Sequence, residues 1–444
     1  MPSPPEASGS DGEPPPVPWL WWLGLGLVVV LVVVLALISY GYLMGSFRQA
    51  SSCTIENVPS LDDPCFALSL EGLANSADTT GHLVGFWREI DDVYAARNAA
   101  MASAEHLIQY ETYFMTPGRR ADAFAEVITD RALAGVAVQL LLDHQGTKAM
   151  PEKYWWRLRN IGVEIQFFRP LDWRAPLEYN SRSHRKLLIV DGQRVLIGGA
   201  GVSDFWDGVA FDHDVAPWLD FEVAYEGEVV SLLQGKFLQN WSSAGGCIDL
   251  KQGMHAVQKQ GSTPLFITDN TSTLNESSMR LLMQLHILAA KKRLWIGSPY
   301  LVPDDATVKA LIRACQKGVD VRILTMGPAT DKLMVHLASR CLYGPLLKAG
   351  IKICEYQLSM MHAKFVLVDE DWVSTGSANF DPRSYFHNDE LNISGAYPEL
   401  AHQVEQFFID AMANSHCLTY ADWQNRSQAE KLKGQLALVF RNLL

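Results

Sequence analysis

Two short stretches of this 444-residue chain carry the same residue types at the same spacing. His184 is followed by Lys186 and Asp191, and then by the turn Gly198-Gly199-Ala200-Gly201. His362 is followed by Lys364 and Asp369, and then by Gly376-Ser377-Ala378-Asn379. Such a set suits a phosphodiester, which needs cations for its oxygens, a nucleophile, and an acid for the departing alcohol. Lysine supplies a compact positive charge, and Asn379 or the N–H groups of the Gly-rich turns can donate to phosphate oxygens. Near neutral pH a histidine can be bare for attack and protonated for donation. One half-site has a single histidine; two facing each other across a pseudo-two-fold axis have both. The candidate catalytic residues are therefore His184, Lys186, Asp191, His362, Lys364 and Asp369. On a strand, residues two apart share a face, so each His and its Lys point into one space. Each Asp lies seven residues after its His, an odd offset that turns it away on an ideal strand. No CxxC pair and no carboxylate cluster with metal-ligand spacing accompanies the motifs, so neither metal nor cofactor is expected.

The elements that must position these residues are themselves repeated. In the first half an apolar, Tyr-rich segment (Gln109 to Pro117) leads into a helical pattern (Ala121 to Ala134), then Gly135 and the apolar run to Leu142. A second helix (Lys153 to Asn160) precedes Gly162 and Val163-Glu164-Ile165. In the second half Arg293 to Pro303, Ala306 to Lys317, Gly318 and its run to Thr325, Leu337 to Ala349, and Gly350 follow the same order. Each glycine closes a helix, and each β-branched run after it reads as a buried strand. Alternating strands and helices predict an α/β sandwich with largely parallel pairing, in two similar lobes. A single H-x-K-x4-D match arises by chance in roughly a few per cent of chains this long. Two, each closing a repeat, do not.

Composition bounds the partners. Net charge is −12, which argues against a nucleic-acid backbone, whose binders carry a basic face. Residues 1–18 are Pro- and acid-rich and read as a disordered tail. Trp19 to Met44 has no charged residue and is long enough to span a hydrocarbon core of about 30 Å, with tryptophans at one end and tyrosines at the other. The head before it lacks Lys and Arg, which excludes an ordinary cleaved leader. Arg48 on the C-terminal side places the body in the cytoplasm by the positive-inside rule. Cys315, Cys341 and Cys354 fall in apolar stretches and read as buried thiols. Cys53 and Cys65 would pair only in an oxidising compartment. Oligomeric state is not legible.

The duplicated H-x-K-x4-D-x6-G-[GS]-x-[NS] pattern resembles the phospholipase D superfamily, from about Ala95 to about Ala413. The runs "NSRSHRKLLIVDG", "SPYLVPDDATVKALIRACQKGVDVRIL", "LASRCLYGPLLKAGIKICEYQ" and "STGSANFDPRSYFHNDELN" are similar to bacterial cardiolipin synthases. The resemblance implies a covalent phosphohistidine, with His184 as nucleophile and His362 as general acid. Lys186, Lys364, Asn379, Ser377 and Gly199 would hold phosphate oxygens. A carboxylate downstream of each motif would orient its histidine: Glu390 in the second lobe and Asp220 in the first. Gly201 departs from the pattern's Asn or Ser, so either Ser203 or backbone N–H groups substitute, or the first half-site grips phosphate less. The implied activity is phosphatidyl transfer between phosphatidylglycerol molecules with loss of glycerol, at the cell membrane. Hydrolysis of a phospholipid (or, less in keeping with the charge, a nucleotide) is the alternative, and a non-catalytic lipid-binding protein the remote one. The expected organisation is a tail (1–18), a transmembrane helix (19–44), a linker (45–84), lobe 1 (85–250), a linker (251–264), lobe 2 (265–415) and an amphipathic C-terminal tail (416–444). In that tail Trp423, Leu432, Leu436, Val439 and Phe440 share a helical face, suited to a lipid interface or to packing on the body.

Overall fold

The computed structural model of the chain describes residues 19–43, 55–174, 178–208, 216–250, 263–270 and 277–441. The expected disordered tail, Arg48, Cys53 and most of the 251–264 linker lie outside them. The chain divides into two units, Met1–Arg48 and Gln49–Leu444. The first holds α1 (Trp19–Leu43), an uncharged helix of 25 residues. At about 1.5 Å per residue it is long and apolar enough to cross a bilayer.

The second unit opens with α2 (Pro64–Ala74), β1 (Ala77–Trp87), α3 (Ile90–Ala102), β2 (Leu107–Thr112) and α4 (Arg119–Leu133). It continues through β3 (Ala137–Asp143), α5 (Glu152–Arg159), β4 (Glu164–Phe168), β5 (Leu187–Val190), β6 (Arg194–Gly198), β7 (Glu222–Glu226) and α6 (Glu228–Ser243). The second lobe repeats that order with β8 (Thr263–Asn270), α7 (Ser278–Ala289), β9 (Arg293–Gly297), α8 (Asp305–Gln316) and β10 (Asp320–Met326). Then come α9 (Leu333–Lys348), β11 (Lys352–Tyr356), β12 (Phe365–Val368), β13 (Trp372–Gly376), α10 (Pro382–Phe386), β14 (Glu390–Ala396) and α11 (Pro398–Ala413). The chain closes with β15 (Ser415–Leu418), α12 (Tyr420–Gln424) and α13 (Gln428–Val439).

One sheet runs through both lobes in the order β15-β11-β10-β9-β12-β13-β14-β8-β1-β7-β6-β5-β2-β3-β4. Reading outwards from the antiparallel β1–β8 pair, the two lobes match strand for strand, and β15 is an addition at one edge. Helices cover both faces: α3, α4 and α5 on lobe 1 and α7, α8 and α9 on lobe 2 pack on one, α6 and α11 on the other. The glycines expected to close helices do so: Gly135, Gly162, Gly318 and Gly350 have φ of 93, 91, 91 and 94°, a backbone that favours glycine.

Three expectations need correction, and one alternative is resolved. Parallel pairing is confined to β2–β3–β4 and β9–β10–β11; the other pairings are antiparallel, because the motif strands β5 and β12 enter by hairpins rather than helical crossovers. The 45–84 linker contains α2 and most of β1, the strand that joins the lobes, and α2 buries Phe66 and Leu70 in the core of lobe 2. Of the two readings of the C-terminal tail, packing on the body is seen: β15 pairs with β11, Trp423 Nε1 donates to the Arg340 carbonyl (2.7 Å), and α13 lies along α9. Cys354 is no free thiol, since register sets it directly opposite Cys417 and the two form a disulfide.

Candidate active site

Each motif strand begins at a cross-lobe clasp. Ser183 bridges Asp389 and Leu219 bridges Met361, so the residue before each histidine is tied to the residue before the other lobe's acid. His184 N–H donates to the Asp389 carbonyl (2.9 Å) and His362 N–H to the Leu219 carbonyl (2.7 Å). The coiling of the twisted sheet brings these segments together; β6 and β13, well separated in strand order, touch.

Those clasps cross the acids. His184 Nδ1 lies 3.1 Å from Glu390 Oε2, and His362 Nδ1 lies 2.9 Å from Asp220 Oδ2. Both expected carboxylates lie against a histidine, each against that of the opposite lobe rather than its own. His184 Nδ1 is also 3.1 Å from the Ser377 carbonyl oxygen. A carbonyl only accepts, so Nδ1 carries the hydrogen and Nε2 is left bare for reaction. Glu390 accepts further from Ser384 Oγ (2.8 Å) and Asn388 Nδ2 (3.2 Å), and Asp220 from Trp206 Nε1 (3.1 Å) and the Phe221 N–H (3.0 Å).

Both lysines reach the same space. Lys186 Nζ donates to the His184 carbonyl (2.6 Å), and Lys364 Nζ donates to the His362 carbonyl and lies about its ring nitrogens at 3.0 and 3.1 Å. His184 is 8% exposed and His362 6%. Burial pushes His184 down to about 4 against the pull of Glu390, and His362 down to about 3 with Lys364 adding to the shift. Burial likewise takes Lys186 to about 7, with the Lys364 charge behind it, and Lys364 to about 8 against Asp220 and Glu390. Although burial opposes it, hydrogen bonds and charge from the paired histidines hold Asp220 and Glu390 below the usual carboxylate range. These shifts leave the site short of protons, and an anion entering it favours their return.

The remaining expected residues fall elsewhere. Asp191 and Asp369 lie apart from the histidines and lysines. Asp191 sits at φ 53°, where its carboxylate accepts from the N–H groups of Glu105 (2.9 Å), His106 (2.8 Å) and Leu107 (2.7 Å). Asp369, at φ 52°, does the same for Lys291, Lys292 and Arg293. The strand of apolar residues between His and Asp carries each aspartate to its far end, where it caps the start of β2 or β9. Gly199 makes room for Asp220, whose carboxylate would lie 2.4 Å from a Cβ there, and the Ser377 Oγ accepts from the Leu391 N–H (2.9 Å). Gly199 thus lies against Asp220, and Ser377 against the residue after Glu390. The Asn379 side-chain carbonyl is buried and has no partner among the described residues; a phosphate oxygen would take its hydrogen bond from the Nδ2 amide of that side chain. Gly201 cannot be the Asn or Ser of the pattern, because a Cβ would meet the Phe114 carbonyl at 2.5 Å. Ser203 is committed to Thr116 Oγ1 (2.5 Å) and to the Phe205 N–H (3.2 Å), so it does not substitute.

Sequence reasoning missed three supports. Arg97 pairs with Glu222 (2.6 Å) and donates to the carbonyls of Ala200 (2.9 Å) and Gly201 (3.1 Å), fixing the first Gly-rich turn. Trp206 and Trp218 flank His362 at 5.2 and 5.6 Å between ring centres, while Tyr113 stands edge-on to His184 at 5.2 Å. The only signal for the tryptophans was their place between the first motif and its acid.

Two lysines and two carboxylate-oriented histidines, built from duplicated half-sites, define a phospholipase-D-type phosphatidyltransferase. The chain belongs to the family described as cardiolipin synthase, PLD-like domain, whose model matches residues 98–213 and 283–412. It is 30% identical over 348 residues to a probable cardiolipin synthase of Bacillus subtilis, covering 78% of this chain and 69% of that one. A cardiolipin synthase of Geobacillus kaustophilus is 30% identical over 371 residues, covering 80% of this chain and 71% of the relative. A phosphatidylserine synthase of Haemophilus influenzae shares the fold at 14% identity, with a TM-score of 0.64 over 86% of this chain and all of that one.

Proposed function

We propose that the protein makes cardiolipin from two molecules of phosphatidylglycerol. His184 Nε2 attacks the phosphorus of the first, and the P–O bond to its terminal glycerol breaks. His362 protonates that glycerol, which leaves. His362, now bare, takes the proton from the terminal hydroxyl of the second phosphatidylglycerol as its oxygen displaces His184 from phosphorus. Lys186, Lys364 and Asn379 hold the phosphate oxygens through both steps. The crossed pairs His184–Glu390 and His362–Asp220 carry this reading: each fixes Nδ1–H and presents Nε2. Transfer rather than hydrolysis is favoured by the low exposure of both histidines, 8% and 6%, which limits their contact with bulk water.

The purified chain in phosphatidylglycerol vesicles should release glycerol and cardiolipin in equal amounts. Phosphatidic acid as the main lipid product would make water the acceptor. The Trp19–Leu43 helix anchors the protein as a single pass, and two features point to opposite sides for its body. Arg48 favours the cytoplasm, whereas a Cys354–Cys417 disulfide persists in an oxidising compartment. Cys247, an exposed free thiol, reads the answer in whole cells once Cys53 and Cys65 are both replaced by serine. Labelling by a membrane-impermeant maleimide places the body outside, and protection places it inside.

A further inference from the structure

Helix α13 is apolar on two faces. Its inner face is used: Gly434 and Ala437 are buried against α9, and a Cβ on Gly434 would stand 2.4 Å from Cys341 Sγ and 2.8 Å from the Leu337 carbonyl. Its outer face is not. Leu432, Leu436, Val439 and Phe440 are 59, 56, 50 and 42% exposed, and at 3.6 residues per turn they fall within an arc of about 100°. The contacts at Gly434, with the Arg340–Glu430 pair (2.9 Å), set α13 antiparallel to α9. Its C-terminal end therefore adjoins the first turn of α9, where Leu333 and Met334 are 63 and 47% exposed. That turn follows β10, which runs parallel to β9 and hence opposite to β12. It lies at the end of lobe 2 where His362 enters. The inner side of the same region is continuous with the site, since Ala437 and Val335 share a buried cluster with Trp206 and Trp218, the rings that flank His362.

We propose that the outer face of α13, continued by the first turn of α9, docks the catalytic body on an anionic lipid surface beside the His362 half-site. Charge selects this occupant. Lys433 and Lys431, the latter also donating to the Gln424 carbonyl (2.7 Å), stand on either side of the apolar arc, and Lys332 adjoins Leu333; of the nearby acids Glu430 is paired with Arg340 and Asp331 accepts from the Tyr300 hydroxyl (2.8 Å). This is a local cationic rim on a chain of net charge −12. Lysines flanking an apolar stripe lay their stems on it and reach lipid phosphates. A second copy on this face by two-fold symmetry would instead oppose lysine to lysine. The proposal shares with the proposed function only the assumption of a lipid substrate, so its test does not depend on turnover.

The full chain, reconstituted in vesicles of phosphatidylglycerol and phosphatidylcholine, is given a photoreactive benzophenone residue at position 436 or, separately, at 440. Position 399, exposed on α11, serves as the control. After irradiation, peptides carrying 436 and 440 should gain the mass of a phospholipid, and the peptide carrying 399 should not. The yield should fall at least about fivefold in vesicles of phosphatidylcholine alone and in the Lys431→Gln, Lys433→Gln double variant, whose thermal melt checks that it is folded. A covalent dimer at 436 or 440 would make the face an interface between copies and overturn the proposal. Lipid adducts no more abundant at 436 and 440 than at 399 would overturn it too. Adducts at both positions in a protein that forms no cardiolipin would leave the docking face standing and remove the proposed reaction.

Discussion

At each histidine the partner of Nδ1 decides which nitrogen reacts, and that partner comes from the other lobe. Replacing Glu390 should therefore resemble replacing His184, and replacing Asp220 should resemble replacing His362. On the proposed mechanism, His362→Ala keeps the nucleophile but leaves the glycerol alkoxide unprotonated. A nitrophenyl phosphodiester, whose leaving group needs little acid help, should rescue His362→Ala and Asp220→Asn. The margin over His184→Ala and Glu390→Gln should be the roughly 10²- to 10⁴-fold typical of general acid catalysis. Rescue of His184→Ala with Glu390→Gln would reverse the two roles; grouping of Asp220 with His184 would refute the crossing. Protonation offers a second handle. With burial holding Lys186 near 7 and Lys364 near 8 in the empty site, a bound phosphodiester anion raises both values. Binding is then linked to proton uptake, and affinity falls as pH rises from 7 to 9, by at most about tenfold per unit for each proton taken up. Calorimetry of a non-hydrolysable phosphonate analogue in buffers of different ionisation enthalpy should show protons taken up at pH 8. No uptake would mean that the lysines are already charged in the empty site.

Among the elements, the motif strands β5 and β12 work at both ends. Their N-terminal ends bring His and Lys of both lobes together, and the aspartate beyond their C-terminal ends ties down the strand alongside. Asp191→Ala leaves three backbone N–H groups without their acceptor, and should cost about 1–3 kcal/mol in urea unfolding. Its kcat per folded molecule should stay near the parent value. Asparagine tolerates φ 53° and retains an acceptor, so Asp191→Asn should lose less. A kcat reduced a hundredfold or more in a fully folded Asp191→Ala would return this residue to the chemistry. The odd offset from His184 to Asp191 already pointed away from the site in the sequence, as the repeated glycines pointed to helix ends. What the sequence hid was non-local. The acids were matched to the nearer motif because spacing along the chain says nothing about which lobe a strand end faces. Strand β1, with Thr79, Thr80, Gly81 and His82, lacks a clean apolar alternation, and its partners β7 and β8 lie well over a hundred residues away. Cys354 looked like any buried thiol until β15, a short edge strand with little pattern, paired beside it.

For the whole catalytic body, crossing the acids means that neither half of the duplication holds a complete half-site. Residues 1–250 contain His184 and Lys186 but lack Glu390, while residues 251–444 contain His362 and Lys364 but lack Asp220. The halves are also joined structurally. Strands β1 and β8 pair at the centre of one continuous sheet, and α2, from the first half, fills part of the second half's core through Phe66 and Leu70. Alone, each half exposes a long sheet edge, and the second also loses the cover of α2, a state prone to aggregation. The two pieces 1–250 and 251–444, produced separately, should therefore form no cardiolipin. Produced together in one cell, they should associate through the β1–β8 edge and recover activity, since the break falls between α6 and β8 and severs no strand. Two inactive pairs sharpen the test. A first piece carrying His184→Ala should stay inactive with a normal second piece, and a second piece carrying Glu390→Gln should behave alike, because both remove the same His184 contact. Activity from residues 251–444 alone, whether as a monomer or as a dimer of that piece, would show that His362 can be served without Asp220. The crossed arrangement would then be a feature of the fold with no part in the chemistry.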